Sequence, residues 1–153
     1  MFRSFLFRLA FLAKSLPFYG SVKDCAPGKD SILTLNSVNM VPVNPSAGDN
    51  VTLYLDYTVP NGLTVTGGQT EYDITYNYIP FSPSYEPLCQ NIPCPLQAGR
   101  YSNASSSQWP TGLSGLLVSR MKWWDENQNL LLCVEMSGQT GNLRKVSLIG
   151  PVA

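Results

Sequence analysis

The run Val51-Thr52-Leu53-Tyr54-Leu55-Asp56-Tyr57-Thr58 sets Val51, Leu53, Leu55 and Tyr57 on one parity and Thr52, Tyr54, Asp56 and Thr58 on the other. Successive side chains of a strand point to opposite faces, so the run reads as a strand with one buried and one wetter face. Outward from it the same period recurs. Ile74, Tyr76 and Tyr78 alternate with Asp73, Thr75 and Asn77; Leu117, Met121 and Trp123 share a parity with Ser119; Leu132, Val134 and Met136 form another set. Each set is expected to face inward. Turn residues break the pattern at Pro42 to Gly48, Pro60-Asn61-Gly62, Gly67-Gly68, Pro80 to Pro95 and Asp125 to Asn129. No stretch after residue 20 holds a helical period for three turns. Seven or eight short strands, punctuated by 12 glycines and 12 prolines, predict an all-β, immunoglobulin-like two-sheet β-sandwich. The tryptophan-between-cysteines spacing of a true immunoglobulin domain is missing.

The chain has 153 residues, enough for one domain with one substantial core. Charged residues make up 13%, about half of the ~25% usual for soluble domains. Ten basic residues balance ten acidic ones, so no overall field gathers phosphate backbones, and nucleic acid is not an expected partner. Histidine is absent, which removes the commonest general base, the commonest zinc ligand and the usual pH switch together. No metal or cofactor is expected. The carboxylate pairs Glu71 with Asp73 and Asp125 with Glu126 are the best candidates for catalysis, as in glycoside hydrolysis. Asp125-Glu126-Asn127, however, reads as a solvated turn, and the expectation is that the chain is not an enzyme.

Four cysteines, Cys25, Cys89, Cys94 and Cys133, allow three pairings and point to an oxidising compartment. The first 20 residues resemble a secretory signal, with Arg3 ahead of an apolar run from Phe5 to Leu12 that Arg8 interrupts. An amphipathic targeting helix or a misplaced start codon is the alternative. The run is shorter than the ~20 residues that span a bilayer. Asn50-Val51-Thr52 and Asn103-Ala104-Ser105 are sequons, so Asn50 and Asn103 are candidate glycan acceptors. The sandwich is expected over 21–137. Residues 138–153 form an extension, either a further strand around Val146 to Ile149 or a tail.

A set of ordered motifs resembles the ML family (myeloid-differentiation-2-related lipid recognition). It opens with Val22-Lys23-Asp24-Cys25 and continues through Val38 to Gly48, with its Pro42-Val43-Asn44-Pro45 turn. Gly67-Gly68 then leads to Leu88-Cys89-Gln90-Asn91-Ile92-Pro93-Cys94-Pro95-Leu96-Gln97-Ala98-Gly99, the most telling segment. Pro110, Gly115, Asp125-Glu126-Asn127 and Leu132-Cys133-Val134 follow in the family's order. The resemblance implies a Cys89–Cys94 disulfide clamping a short loop and a Cys25–Cys133 disulfide closing a long one. It is closer to the fungal and plant phosphatidylglycerol/phosphatidylinositol-transfer branch than to the sterol-carrier branch, because Val43, Asn44 and Pro45 stand where the latter has a further disulfide.

The resemblance also implies function. The two sheets would be splayed around an apolar cavity walled by Val51, Leu53, Leu55, Tyr57, Ile74, Tyr76, Tyr78, Leu117, Met121, Trp123, Val134 and Met136. Ile79 and Phe81 are candidates for its mouth. The occupant would be a sterol or phospholipid, carried between membranes by a monomer that touches them transiently, or presented to a receptor instead. The setting would be extracellular or the lumen of a lysosome or vacuole. Trp124, opposite in parity to Trp123, is expected on the surface and partly buried.

Overall fold

A computed structural model describes residues 20–140. Within them run β1 (Ser21–Asp24), β2 (Thr34–Val41), β3 (Asn50–Val59), β4 (Gly68–Tyr76), β5 (Ile79–Pro80), β6 (Ser84–Pro87), β7 (Gly99–Gln108), β8 (Gly115–Asp125) and β9 (Leu130–Thr140). Single 3-10 turns lie at Gly28–Asp30 and Leu88–Gln90. Six strands form one sheet in the order β1-β9-β8-β4-β5, with β6 also on β4; β2-β3-β7 form the other. All pairings are antiparallel. The fold is thus the two-sheet immunoglobulin-like sandwich.

β3 behaves as its alternation dictates: Val51, Leu53, Leu55, Tyr57 and Val59 are all buried, and the residues between them are half-buried or exposed. Across from them stand Leu117, Met121 and Trp123 of β8 and Leu132 and Val134 of β9, also buried. One main cluster forms where these rows meet Leu33, Val65, Leu88, Ile92 and Leu96 from the loops. Each such side chain contributes about 1.5–3 kcal/mol when fully buried, an upper estimate because unfolded chains already hide some apolar surface. A smaller cluster of Met40, Val51, Trp109 and Leu117 fills the end of the sandwich where β8 begins.

The β8–β9 hairpin turns at Asp125, whose Oδ1 accepts from the backbone N–H of Asn127 (2.9 Å) and Asn129 (2.8 Å). These bonds outweigh the upward pull of burial and hold its carboxyl below the usual range. Between Trp123 and Trp124 the register slips, so Trp123 faces Leu132, Trp124 faces Leu130, and the bulged Leu131 is buried as well.

Three expectations need correcting. β4 ends at Tyr76, and Asn77 (φ 46°) and Tyr78 (φ 68°) form a two-residue hairpin turn that brings Ile79 opposite Tyr76. Tyr78 is therefore 85% exposed instead of inward. The stretch from Pro80 to Pro95 is not one continuous break, since it holds β6, paired along β4 from Gln69 to Tyr72. The sheet also runs past residue 137: Gly138 is buried, and a Cβ there would lie 2.7 Å from the Trp109 ring. The signal-like segment before Gly20 and the stretch around Val146 to Ile149 lie outside the described residues.

Candidate functional site

The two sheets do not close equally on both sides. Their strands come within 8 Å over several residues where β2 lies against β1 and β9. On the other side, where β7 and the β4–β6 edge lie, the strands make no comparable approach. In register, Ser105 sits beside Leu53 and Ser107 beside Val51, on the inner face, yet both serines are exposed while their neighbours are buried. Ile74 shares its parity with buried Thr70 and half-buried Tyr72, yet is 39% exposed. Inner-face positions open to water on both sheets define a window.

Side chains close the window at both ends. At one, Trp109 follows β7 and reaches the six-stranded sheet, packing on Gly138 and donating from Nε1 to the Gln139 carbonyl (3.1 Å). At the other, the Leu88–Gln90 turn buries Leu88, and Asn103 Nδ2 donates to the Asn91 carbonyl (3.3 Å). Of the two sequons, Asn50 is exposed, whereas the Asn103 amide is engaged at this edge.

Most of the expected wall residues do come together. Val51, Leu53, Leu55, Tyr57, Leu117, Met121, Trp123 and Val134 are buried between the sheets, and Tyr76 and Met136 are packed against them half-buried. Ile79 (64% exposed) and Phe81 (56% exposed) stand at the rim beside Ile74, whose carbonyl accepts from the Phe81 N–H (2.8 Å). Periodicity could not find the polar groups that share this interior. Glu86 of β6 faces Thr70 of β4, which faces Trp123 of β8, so the three form one row across the inner face. Glu86 Oε1 accepts from Tyr72 Oη and from Asn91 Nδ2, both at 2.6 Å. Those two bonds, Tyr72 first, hold the Glu86 carboxyl below its usual range. Burial first, then Glu86, pushes the Tyr72 phenol upward. Asn91 Nδ2 also reaches Thr70 Oγ1 (3.4 Å), while the buried Trp123 Nε1 has no hydrogen-bond partner among the described residues.

The outer face of the six-stranded sheet is charged. Glu135 pairs with Lys23 (3.1 Å) and Arg120 (2.7 Å); Lys122 pairs with Asp73 and with Glu71 (3.6 Å). Burial works against the Lys122 charge, but its hydrogen bond to the Asp73 carboxylate and the pull of both carboxylates outweigh it and raise its pKa. Trp124 is half-buried and donates to Glu71 Oε2 (2.6 Å). Glu71 and Asp73 thus serve as partners of Lys122 and Trp124, outside the sandwich. A hollow on this face is lined by Lys23, Arg120, Lys122, Trp124 and Glu135, and another on the outer face of the three-stranded sheet by Tyr54, Asp56 and Ser102. Neither lies between the sheets. The disulfides are Cys25–Cys133 and Cys89–Cys94, the pairing that the resemblance implied.

A disulfide-linked two-sheet sandwich with an apolar interior defines an immunoglobulin-like domain. The model of the ML domain matches residues 20–139, and the chain belongs to that lipid-recognition family. A Niemann-Pick type C2 protein from the Japanese carpenter ant has a similar structure, with a TM-score of 0.58 at 11% identity over 79% of this chain and 99% of that one. Chicken MD-1, crystallised in complex with lipid IVa, matches with a TM-score of 0.50 at 11% identity over 77% and 86%. At such identities the likeness establishes the fold alone. No curated protein sequence matches the chain.

Proposed function

We propose that this protein binds a single lipid, a sterol or a phospholipid, between its sheets and carries it between membranes without catalysis. The observation that carries this reading is the window: inner-face Ile74, Ser105 and Ser107 meet water where a closed sandwich would bury them. An acyl chain or ring system entering there would part the β7 side from β4 and lie against Leu55, Leu117, Met121 and Met136. Each Å² of apolar surface it hides contributes ~25 cal/mol, so a few hundred Å² give several kcal/mol before ordering costs. Met121 and Met136 can adapt their shape to different occupants. The exposed Tyr78, Ile79 and Phe81 lie beside the opening and suit brief contact with a membrane interface. The disulfides fit an extracellular, lysosomal or vacuolar lumen, reached by a cleaved leader over residues 1–20.

The test is transfer of a fluorescent sterol or phospholipid from donor to acceptor vesicles by the purified, disulfide-intact monomer. Transfer without metal, nucleotide or a partner protein is the expected result. Tight binding with no transfer would replace the carrier reading with presentation of bound lipid to a receptor, and absence of binding would end both.

A further inference from the structure

The row Glu86–Thr70–Trp123 places polar chemistry inside an otherwise apolar sandwich, and its two ends differ. Trp123 is 1% exposed, and its indole N–H has no acceptor among the described residues. Buried indole N–H groups usually have one, because a donor left unpaired away from water forfeits its hydration without compensation. Glu86 stands two strands away, roughly 10 Å at the usual strand spacing, half-buried beside the Asn91 that closes one end of the window, and already occupied by Tyr72 and Asn91.

The described cations are placed elsewhere. Among the described residues, Lys23, Arg120 and Lys122 lie on the outer face of the six-stranded sheet, and Arg100 on the outer face of the other, all paired with carboxylates. Lys29 lies in the exposed 3-10 turn before β2. No described Lys or Arg faces the interior, and the row itself carries the negative Glu86 carboxylate.

Resting on the lipid-binding reading above, we propose that this row selects lipids whose polar end is uncharged. A hydroxyl or carbonyl oxygen accepts the Trp123 Nε1–H inside, while the Glu86 carboxylate, beside the Asn91 end of the window, turns anionic headgroups away. Trp123 and Glu86 are then specificity residues, one by attraction and one by repulsion. The phosphatidylglycerol and phosphatidylinositol types suggested by the sequence motifs become the disfavoured ligands.

Three probes separate this from lipid binding in general: a fluorescent sterol alcohol, the matching sterane hydrocarbon without its oxygen as a competitor, and phosphatidylglycerol with a fluorescent acyl chain. The native protein should bind the alcohol at least about ten-fold more tightly than phosphatidylglycerol. Trp123→Phe should weaken the alcohol about three- to ten-fold, one net hydrogen bond, and leave the hydrocarbon unchanged. Glu86→Gln, which keeps an acceptor for Tyr72, should raise phosphatidylglycerol affinity several-fold and narrow the gap. Equal losses for alcohol and hydrocarbon in Trp123→Phe, or native binding of phosphatidylglycerol as tight as that of the alcohol, would overturn the inference while leaving lipid carriage standing. If Trp123→Phe fails to fold, Glu86→Gln decides, and an unchanged preference in it overturns the inference. Failure of every lipid to bind would remove the carrier reading as well.

Discussion

Tyr57 of β3 and Trp123 of β8 meet edge to face across the two sheets, ring centroids 5.3 Å apart and planes at 88°. Tyr57 also stacks on Tyr101 of β7 at 5.8 Å and 19°, so a single ring ties three strands from both sheets. Burial, and secondarily the neighbouring Tyr101, pushes the Tyr57 phenol up to about 12, and it stays neutral. Aromatic pairs of this kind contribute about 0.5–1.5 kcal/mol beyond their burial. Here they hold the sheets together at one end.

Removing that ring should therefore cost more than an ordinary surface change. Tyr57→Ala is expected to lose about 3–5 kcal/mol in denaturant unfolding, as large-to-small aromatic changes do. Tyr57→Phe keeps both ring contacts and should lose less than about 1.5 kcal/mol.

The two disulfides should contribute unequally. Cys25–Cys133 spans 108 residues in sequence and Cys89–Cys94 spans 5. On chain entropy the long loop is worth about 4.7 kcal/mol and the short one about 2 kcal/mol. The paired change Cys25→Ala with Cys133→Ala should lower the melting temperature well below that of Cys89→Ala with Cys94→Ala, measured side by side by calorimetry.

Membrane exchange should depend on the rim and not on the other exposed-parity tryptophan. Ile79→Asp and Phe81→Asp should slow vesicle-to-vesicle transfer several-fold with little change in equilibrium binding, since a charge at the rim must be desolvated to enter an interface. Trp124→Phe should leave transfer unchanged, because Trp124 is bonded to Glu71 on the outer face.

Glu71→Gln together with Asp73→Asn leaves Lys122, whose side chain is only 24% exposed, without its two anions. A stability loss of about 1–2 kcal/mol is expected, with lipid binding intact. Loss of some lipid or glycan turnover in that variant, with the fold preserved, would instead make the carboxylates catalytic.

Acid should destabilise the fold only below about pH 5. Asp56, hydrogen-bonded first by Arg100 and then by Asn36, is lowered to about 2 from its ordinary 3.8. Glu86 and Glu135 are lowered from 4.5; for Glu135 the bonds to Arg120 and Lys23 overcome burial. Carboxyls with depressed folded pKa values bind protons first in the unfolded state, so the stability they supply is complete above the unfolded values and is lost as pH falls through the folded ones. With no histidine in the chain, melting temperature should stay nearly level from pH 7 to about 5 and then drop. A fall already between 7 and 5 would contradict this assignment.

Alternation and turn chemistry in the sequence were enough to determine the sandwich, the inward rows of β3, β8 and β9, and the Asp125 turn, because period two and turn residues are local signals. The order of motifs, not any local physics, pointed to the family and the disulfide pairing. β7 was illegible: Arg100 to Gln108 carries only Tyr101 and Ala104 as apolar side chains, and it is a strand because the β3 edge offers it backbone partners. Tyr78 looked inward because period two continues through it, but the chain reverses at Asn77, and a reversal resets parity. Only the tertiary structure could decide the window, since exposure of Ile74, Ser105 and Ser107 depends on how far β7 stands from β4, a distance no stretch of sequence encodes. The row Glu86–Thr70–Trp123 is likewise a product of register, joining residues far apart in the chain because antiparallel pairing sets them side by side.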